Sequence, residues 1–388
     1  MIPQLVNHGQ PERSSSRPLA LPLSRRTYLQ LPIGWMMTQS AVGETVDSRF
    51  APAAAPLAES VASGEMRAAS LWVRQGDQEY AWFSGAASSQ DAAFLIASIT
   101  KPLAITAALM LADSGDLDVE RPVVHYLPEF TGEGREAVLV WHLLTHVSGL
   151  PDQLATNTEL RSSHAPLSAF VAAALQAPLA FPPGRAYSYS SMGILLATEI
   201  AERISGRPLR ELLAQRLFEP LGMTTASLGL GGRDVSELVA CQVEYAAPEA
   251  GAGAENSRGW DWNSRYWRDF GAPWGGVHAS ARDVGTFFWE AMHPTDRVMK
   301  PATWRLMTTN RNPPGITPRG FGLGVGKASS HLRGSAEAFG HTGATGTLAW
   351  ADPATDTVCV VLTTLPGTAK KPHPRQRCSD LVGKIAAT

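Results

Sequence analysis

Cysteine is scarce: Cys241, Cys359 and Cys378 are the only three in 388 residues, far apart and odd in number. That excludes a disulfide framework and any Cys-x-x-Cys metal site. An excess of one charge is also missing, with 33 Lys and Arg against 35 Asp and Glu and a net charge of −2. No basic field therefore points to nucleic acid. No apolar run approaches the roughly 18 residues of a membrane span. No internal repeat is visible, and no low-complexity tract appears outside the N-terminal tail. What is present is a composition with 44% hydrophobic and 18% charged residues, enough to bury a sizeable core and too apolar for a mainly disordered chain. The length suits two or three domains, or one domain carrying a large insertion, and suits an enzyme.

Residues 1–56 differ from the rest, being rich in Pro, Ser and Ala with little periodicity. Within them Ser24-Arg25-Arg26-Thr27-Tyr28-Leu29-Gln30 precedes a short apolar run, and Ala41-Val42-Gly43 supplies small residues of the kind a signal peptidase prefers. This leader reads either as a twin-arginine export signal, which would place the protein in the periplasm or outside the cell, or as an unstructured tail of a cytoplasmic protein.

Beyond it the chain alternates. Ser70–Arg74 and Tyr80–Phe83 read as strands around the turn at Gly76-Asp77. After Ser98, apolar Leu103, Ala107, Met110 and Leu111 recur at helical spacing, with Gly115 where a C-terminal cap belongs. Residues 131–269 are mostly helical and loop-rich, with helices expected at Trp141–His146, Leu167–Gln176, Ser191–Ile204 and Leu209–Leu217. Strand signals return at Phe321–Val325, Gly346–Ala351 and Thr357–Thr363, and a basic segment, Pro372–Leu381, leads into a last helix. Strands at both ends with helices between predict one sheet built from 57–130 plus 270–388, with 131–269 inserted as a mainly helical domain.

Three segments carry chemistry. In Ser98-Ile-Thr-Lys101 the spacing puts hydroxyl and amine on one helical face. A lysine desolvated there acquires a lowered pKa and can take the serine proton. The helix N-terminus adds a positive end for an oxyanion. Phe181-Pro-Pro-Gly-Arg-Ala-Tyr-Ser-Tyr189-Ser190-Ser191 brings a tyrosine to the mouth of an apolar helix. A phenol with a pKa near 10 acts as base only where a cation, here Lys101, holds the phenolate. Gly340-His341-Thr342-Gly343-Ala344 leaves backbone free to approach a substrate. Taken singly, the first two read as an ordinary helix start and a half-buried tyrosine, and the third equally as a glycine-rich hairpin turn.

In that order and spacing, the three resemble the serine β-lactamase and penicillin-binding-protein superfamily. Leu143-Leu-Thr-His-Val-Ser-Gly-Leu-Pro151, Pro220-Leu-Gly-Met223 and Gly275-Gly-Val-His-Ala-Ser-Ala-Arg-Asp283 extend the likeness from about Leu57 to the end. The chain looks most similar to class C β-lactamases, low-molecular-weight DD-peptidases and the family VIII esterases. The resemblance implies an α/β (α+β) sandwich, with an antiparallel sheet of about five strands flanked by helices and an inserted all-helical domain. It implies Ser98 as the acylated nucleophile, Lys101 as its proton partner and Tyr189 as the base serving the leaving group. The amides of Ser98 and Ala344 would form the oxyanion hole, and Ser191, His341, Thr342 and Gly343 would line the substrate. No cofactor or metal is implied.

Two departures from the family pattern bear on the substrate. Ser191 stands where the Tyr-x-Asn motif has asparagine, the family's contact to an acyl-side amide. A serine is too short for that bond, which is worth about 0.5–1.5 kcal/mol, or up to about tenfold. His341 stands where class C enzymes carry lysine, so a fixed cation is lost, because an unperturbed imidazole is mostly neutral at pH 7. Both tilt the reading to a carboxylesterase with weak β-lactam hydrolysis on the side. A DD-peptidase or β-lactamase acting on D-amino-acid peptides or β-lactams is the alternative enzyme. A non-catalytic penicillin-recognising or scaffold protein is the alternative from another class. The substrate is a small-molecule ester or lactam. Class A's Glu-x-x-Leu-Asn and the Gly-x-Ser-x-Gly elbow are both absent. His142 and His146 have helical i, i+4 spacing, but no third ligand is spaced to complete a metal site. Trp260, Trp262, Tyr266, Trp267, Phe270 and Trp274 form either an aromatic wall around the substrate, Trp274 foremost, or the packing of a long loop.

Overall fold

The structure is a computed structural model that describes residues 48–326 and 334–388. The Arg25-Arg26 motif and Ala41–Gly43 lie outside the described residues. Strands β1 (Ala68–Gln75) and β2 (Gln78–Gly85) form a hairpin whose turn takes Gly76 to φ +55°. Three short strands follow: β3 (Phe94–Leu95), β4 (Ser227–Leu228) and β5 (Val277–Ala279) make a small sheet in the order β3-β5-β4. The C-terminal part supplies β6 (Gly324–Val325), β7 (Phe339–Gly343), β8 (Thr347–Asp352) and β9 (Thr357–Thr363). The large sheet runs β2-β1-β9-β8-β7-β6, six strands rather than about five, and every pairing is antiparallel. Pairing of β1 with β9, from Ala69 opposite Thr363 to Gln75 opposite Thr357, closes the two ends of the chain into one sheet.

Both faces of this sheet are covered, so its central strands send apolar side chains to both sides rather than to one. Trp72, Val358, Val360, Leu362, Ala349 and Ala351 face one core; Leu71, Val73, Cys359, Val361, Leu348 and Trp350 face the other. Twelve α-helices lie among the described residues. In chain order they are α1 (Ala55–Ala62), α2 (Thr100–Ser114), α3 (Val140–Leu144), α4 (Asn157–Ser162), α5 (Leu167–Leu175) and α6 (Ser191–Ser205). They continue with α7 (Leu209–Leu213), α8 (Glu219–Leu221), α9 (Arg265–Phe270), α10 (Ala281–Met292), α11 (Pro301–Thr308) and α12 (Pro374–Ala386). Helices α1 and α12 cover one face of the sheet, and α10 the other. Gly285 of α10 sits where an added Cβ would come within 2.2 Å of the Trp72 ring, so the helix comes down directly on that indole.

Some boundaries differ from the sequence reading. Residues 48–54 are a 3₁₀ turn whose Phe50 and Ala53 are buried under α12, so packed structure begins before residue 57. Small residues fill that contact, and they leave no apolar period to read. The expected helix at Trp141–His146 stops at Leu144, since His146 adopts φ +62° and the two histidines no longer share a helical face. Most of Pro372–Leu381 is not a lead-in but the first turns of α12 itself. Gly115 caps α2 at φ +89°, as its position predicts.

Candidate active site

Helix α2 is buried from Thr100 to Met110, and its first turn is where the chemistry sits. Ser98 lies in the short 3₁₀ turn Ala97–Ile99 that leads into α2, where the first amides of a helix have no intrahelical acceptor. Ala97 just before it adopts φ +47°, a region that costs a Cβ-bearing residue about 1–2 kcal/mol. Lys101 is 1% exposed and donates from Nζ to Ser98 Oγ at 3.2 Å and to the Trp274 carbonyl at 3.0 Å. Burial lowers its pKa to about 8; the Asp152 carboxylate pulls it partly back up, and the Arg319 guanidinium pushes it down.

The tyrosine comes from the loop before α6, which Ser190 caps by accepting the Gly193 N–H at 2.9 Å. Lys101 Nζ lies 4.7 Å from the centre of the Tyr189 ring. Burial raises the Tyr189 pKa well above the ordinary phenol range, a hydrogen bond with Ser98 offsets this in part, Asp152 raises it further and Arg319 lowers it. Both shifts run against Lys101 holding a Tyr189 phenolate, since desolvation favours the neutral phenol and weakens the amine's hold on its proton. The Tyr189 hydroxyl lies 3.4 Å from His341 Nε2, while His341 Nδ1 is 2.7 Å from the Thr342 carbonyl. A carbonyl only accepts, so Nδ1 carries the proton and, in the neutral ring, Nε2 is left to accept from the phenol. His341 thus serves Tyr189, a link that sequence spacing did not reveal.

The wall opposite Ser98 is the β7–β8 hairpin. Thr345 Oγ1 donates to the Leu95 carbonyl at 2.7 Å and Thr347 Oγ1 to the Ile96 carbonyl at 2.9 Å, tying the hairpin to the segment that leads into Ser98. An added Cβ on Gly343 would meet Thr347 Oγ1 at 2.1 Å and the Ile96 carbonyl oxygen at 2.4 Å, so only glycine allows this approach. Thr342 is half-buried, and the Ala344 amide makes no hydrogen bond among the described residues, which leaves it available to an oxyanion. From below, Arg375 Nη1 donates to the Gly343 carbonyl at 2.7 Å and to the Thr347 carbonyl at 2.9 Å.

Two expected substrate contacts change. Ser191 is 2% exposed, and its hydroxyl donates to Asp152 Oδ1 at 2.5 Å while its N–H donates to the same oxygen at 3.0 Å. Its side chain is committed inside the protein, and Asp152 stands in front of it. Trp274 contributes its carbonyl, as above, but its indole packs with Phe170, Trp267 and Phe270 at centroid distances of 5.9, 6.4 and 6.0 Å. Phe170 of α5 also meets Phe270 of α9 at 5.1 Å, and Trp260 and Trp267 lie against the Arg161 guanidinium, so these rings pack inside the protein. His142 Nδ1 accepts the Leu139 N–H and His146 Nδ1 the Ser190 N–H, at 3.0 and 3.2 Å, so each imidazole braces a loop. Burial takes the His142 pKa down to about 4 and that of His146 well below its usual value, so both rings are neutral.

Asp152 and Arg319 were missed. Asp152 directly follows the Leu143–Pro151 segment and is separated by 39 residues from Ser191. Arg319 lies in irregular chain after α11, donates to the Tyr187 hydroxyl at 2.6 Å and sits 5.9 Å from the Tyr189 ring centre. Neither belongs to a periodic element, so only the folded chain brings them in.

Comparison with known proteins gives the family. Residues 53–380 match the sequence model of the Beta-lactamase family. The chain belongs to that family. It is a serine hydrolase with the mixed α/β architecture of β-lactamase-fold enzymes. Esterase EstB of Burkholderia gladioli is 32% identical over 155 residues, 36% of this chain and 39% of EstB. Protein Rv1367c of Mycobacterium tuberculosis is 26% identical over 358 residues, 78% of this chain and 82% of that one. The crystal structure of a family VIII carboxylesterase shares the fold at a TM-score of 0.69 and 19% identity, covering 89% of this chain and 100% of its own.

Proposed function

We propose that the chain is a carboxylesterase acting through a Ser98 acyl-enzyme, and the observation that carries this is the buried Lys101 amine 3.2 Å from Ser98 Oγ. With its pKa near 8, a useful share of Lys101 is neutral at physiological pH and takes the hydroxyl proton as Oγ adds to the ester carbonyl. The oxyanion lies between the amides of Ser98 and Ala344. On collapse the C–O bond to the alcohol breaks, and the Tyr189 hydroxyl gives the departing oxygen its proton, regaining one from Lys101. Water then attacks the acyl-enzyme by the reverse proton path. His341 orients the phenol, Thr342 and Gly343 flank the substrate along β7, and Ser191 acts through Asp152.

An ester is favoured over an amide because the amide-contacting asparagine and the fixed cation are both replaced, by Ser191 and His341, and because EstB is an esterase by name. We also place the crevice between the part formed by 57–130 plus 270–388, which holds Ser98, Lys101 and His341, and the inserted part 131–269, which holds Tyr189 and Asp152. The leader with Arg25-Arg26 would deliver the enzyme outside the cytoplasm.

The test is a p-nitrophenyl ester series beside nitrocefin. The expected result is ester turnover faster than lactam turnover by about tenfold to a hundredfold, since the lost contacts each weaken lactam recognition by up to about tenfold. Nitrocefin hydrolysed as fast as the esters would make the protein a β-lactamase instead, and no turnover with no adduct would favour the scaffold reading.

A further inference from the structure

The crevice contains a carboxylate that the acyl-transfer steps leave unused. Asp152 Oδ1 is fixed by the Ser191 N–H and hydroxyl, at 3.0 and 2.5 Å. Its Oδ2 makes no hydrogen bond or ion pair among the described residues, and the residue is half-exposed. The nearby cations are engaged elsewhere: Lys101 with Ser98 and the Trp274 carbonyl, Arg319 with the Tyr187 hydroxyl. Ser191, which holds Asp152, follows Tyr189 by two residues, and Lys101, Tyr187 and Tyr189 all feel the Asp152 charge. A negative charge rigidly held and left without a partner is oriented for something that enters.

We infer that Asp152, anchored by Ser191, is the recognition group for the acyl portion of the substrate and selects acyl groups bearing an ammonium nitrogen. The inference rests on the acyl-enzyme reading above. The chemistry follows from the donor set. A carboxylate accepts and cannot donate, so it attracts an ammonium or an N–H and repels an acyl chain that ends in a carboxylate. Ser191 is too short to reach a substrate, but it holds a longer acceptor in front of itself. The substitution at the third position of the Tyr-x-Ser motif thus exchanges a neutral amide for an anion.

Matched pairs test this. p-Nitrophenyl β-alaninate differs from the butyrate by an ammonium in place of the terminal methyl group. 2-Aminoethylboronic and propylboronic acids differ likewise and bind serine hydrolases without turnover. The native enzyme should prefer the ammonium member of each pair by about tenfold or more, in kcat/KM and in Ki, since a hydrogen bond to a charged group is at stake. In Asp152→Asn the preference should fall below about threefold, and in Ser191→Ala it should fall part of the way. Each preference is a ratio within one variant, so a loss common to both ligands cancels. Raising salt from about 0.05 to about 0.5 M should erode the native ratio, because the carboxylate is partly exposed.

A native enzyme that prefers the neutral members, binds neither boronate, or keeps its ratio in Asp152→Asn overturns the assignment. Boronate selectivity that depends on Asp152 without ester turnover would support the recognition group and overturn the esterase reading. Ester turnover with an unchanged ratio would do the reverse.

Discussion

At the scale of single residues the account depends on which group near Ser98 is charged. Lys101 is buried and holds a pKa near 8, so the active form is the deprotonated amine. The kcat/KM for a neutral ester should therefore rise with pH through an apparent pKa near 8, being low where Lys101 is an ammonium and level where it is an amine. A pH–rate profile checks this; a limb near the ordinary histidine pKa of about 6.5 would transfer the role to an imidazole. Lys101→Met should lower kcat by roughly 10²–10⁴-fold with little change in fold, since an apolar group of similar length fills the same space. Tyr189→Phe should cost kcat more than KM, because the phenol proton is needed only as the alcohol leaves. Single-turnover measurements with poor and good leaving groups separate these, the loss being larger for the poor one.

At the scale of elements, close approaches hold the site together. The β7–β8 hairpin can reach Ile96 and Ala97 only because residue 343 lacks a side chain. Gly343→Ala should lower kcat roughly a hundredfold while the far-ultraviolet dichroism stays native, since a small misplacement of the hairpin carries the Ala344 amide with it. Gly285→Ala is the contrasting case, remote from Ser98 and pressed against the Trp72 ring. It should cost about 1–3 kcal/mol of stability in a denaturant titration and leave kcat near native.

Elements of this kind show what was readable beforehand. Helix α2, its Gly115 cap and the β1–β2 hairpin are local and periodic, and so were legible. The Ser98–Lys101 pair was legible because i, i+3 spacing is itself a geometric statement. The Asp152–Ser191 and Tyr189–His341 contacts join residues 39 and 152 positions apart, and no local pattern encodes them. The sign of the Lys101–Tyr189 partnership was also out of reach, because it depends on how deeply both groups are buried, which only the fold decides.

At the scale of the whole molecule, the C-terminal helix α12 serves the site directly. Trp350 Nε1 donates to Ser379 Oγ at 2.9 Å, and Arg375 reaches through to two carbonyls of the hairpin. Arg375→Ala would leave both carbonyls buried without that donor, and it should cost about 2–4 kcal/mol by denaturant titration together with a loss of kcat. Coupling of the sheet, the loop before α6 and α12 at one serine is what the acyl-enzyme reading requires of the fold. The most direct test is intact mass after mixing with a p-nitrophenyl ester and rapid acid quench. The native protein should gain the mass of one acyl group, mapped by peptide digestion to Ser98, and Ser98→Ala should gain none. An adduct of equal yield on Ser98→Ala, or one mapped to another residue, would contradict the account.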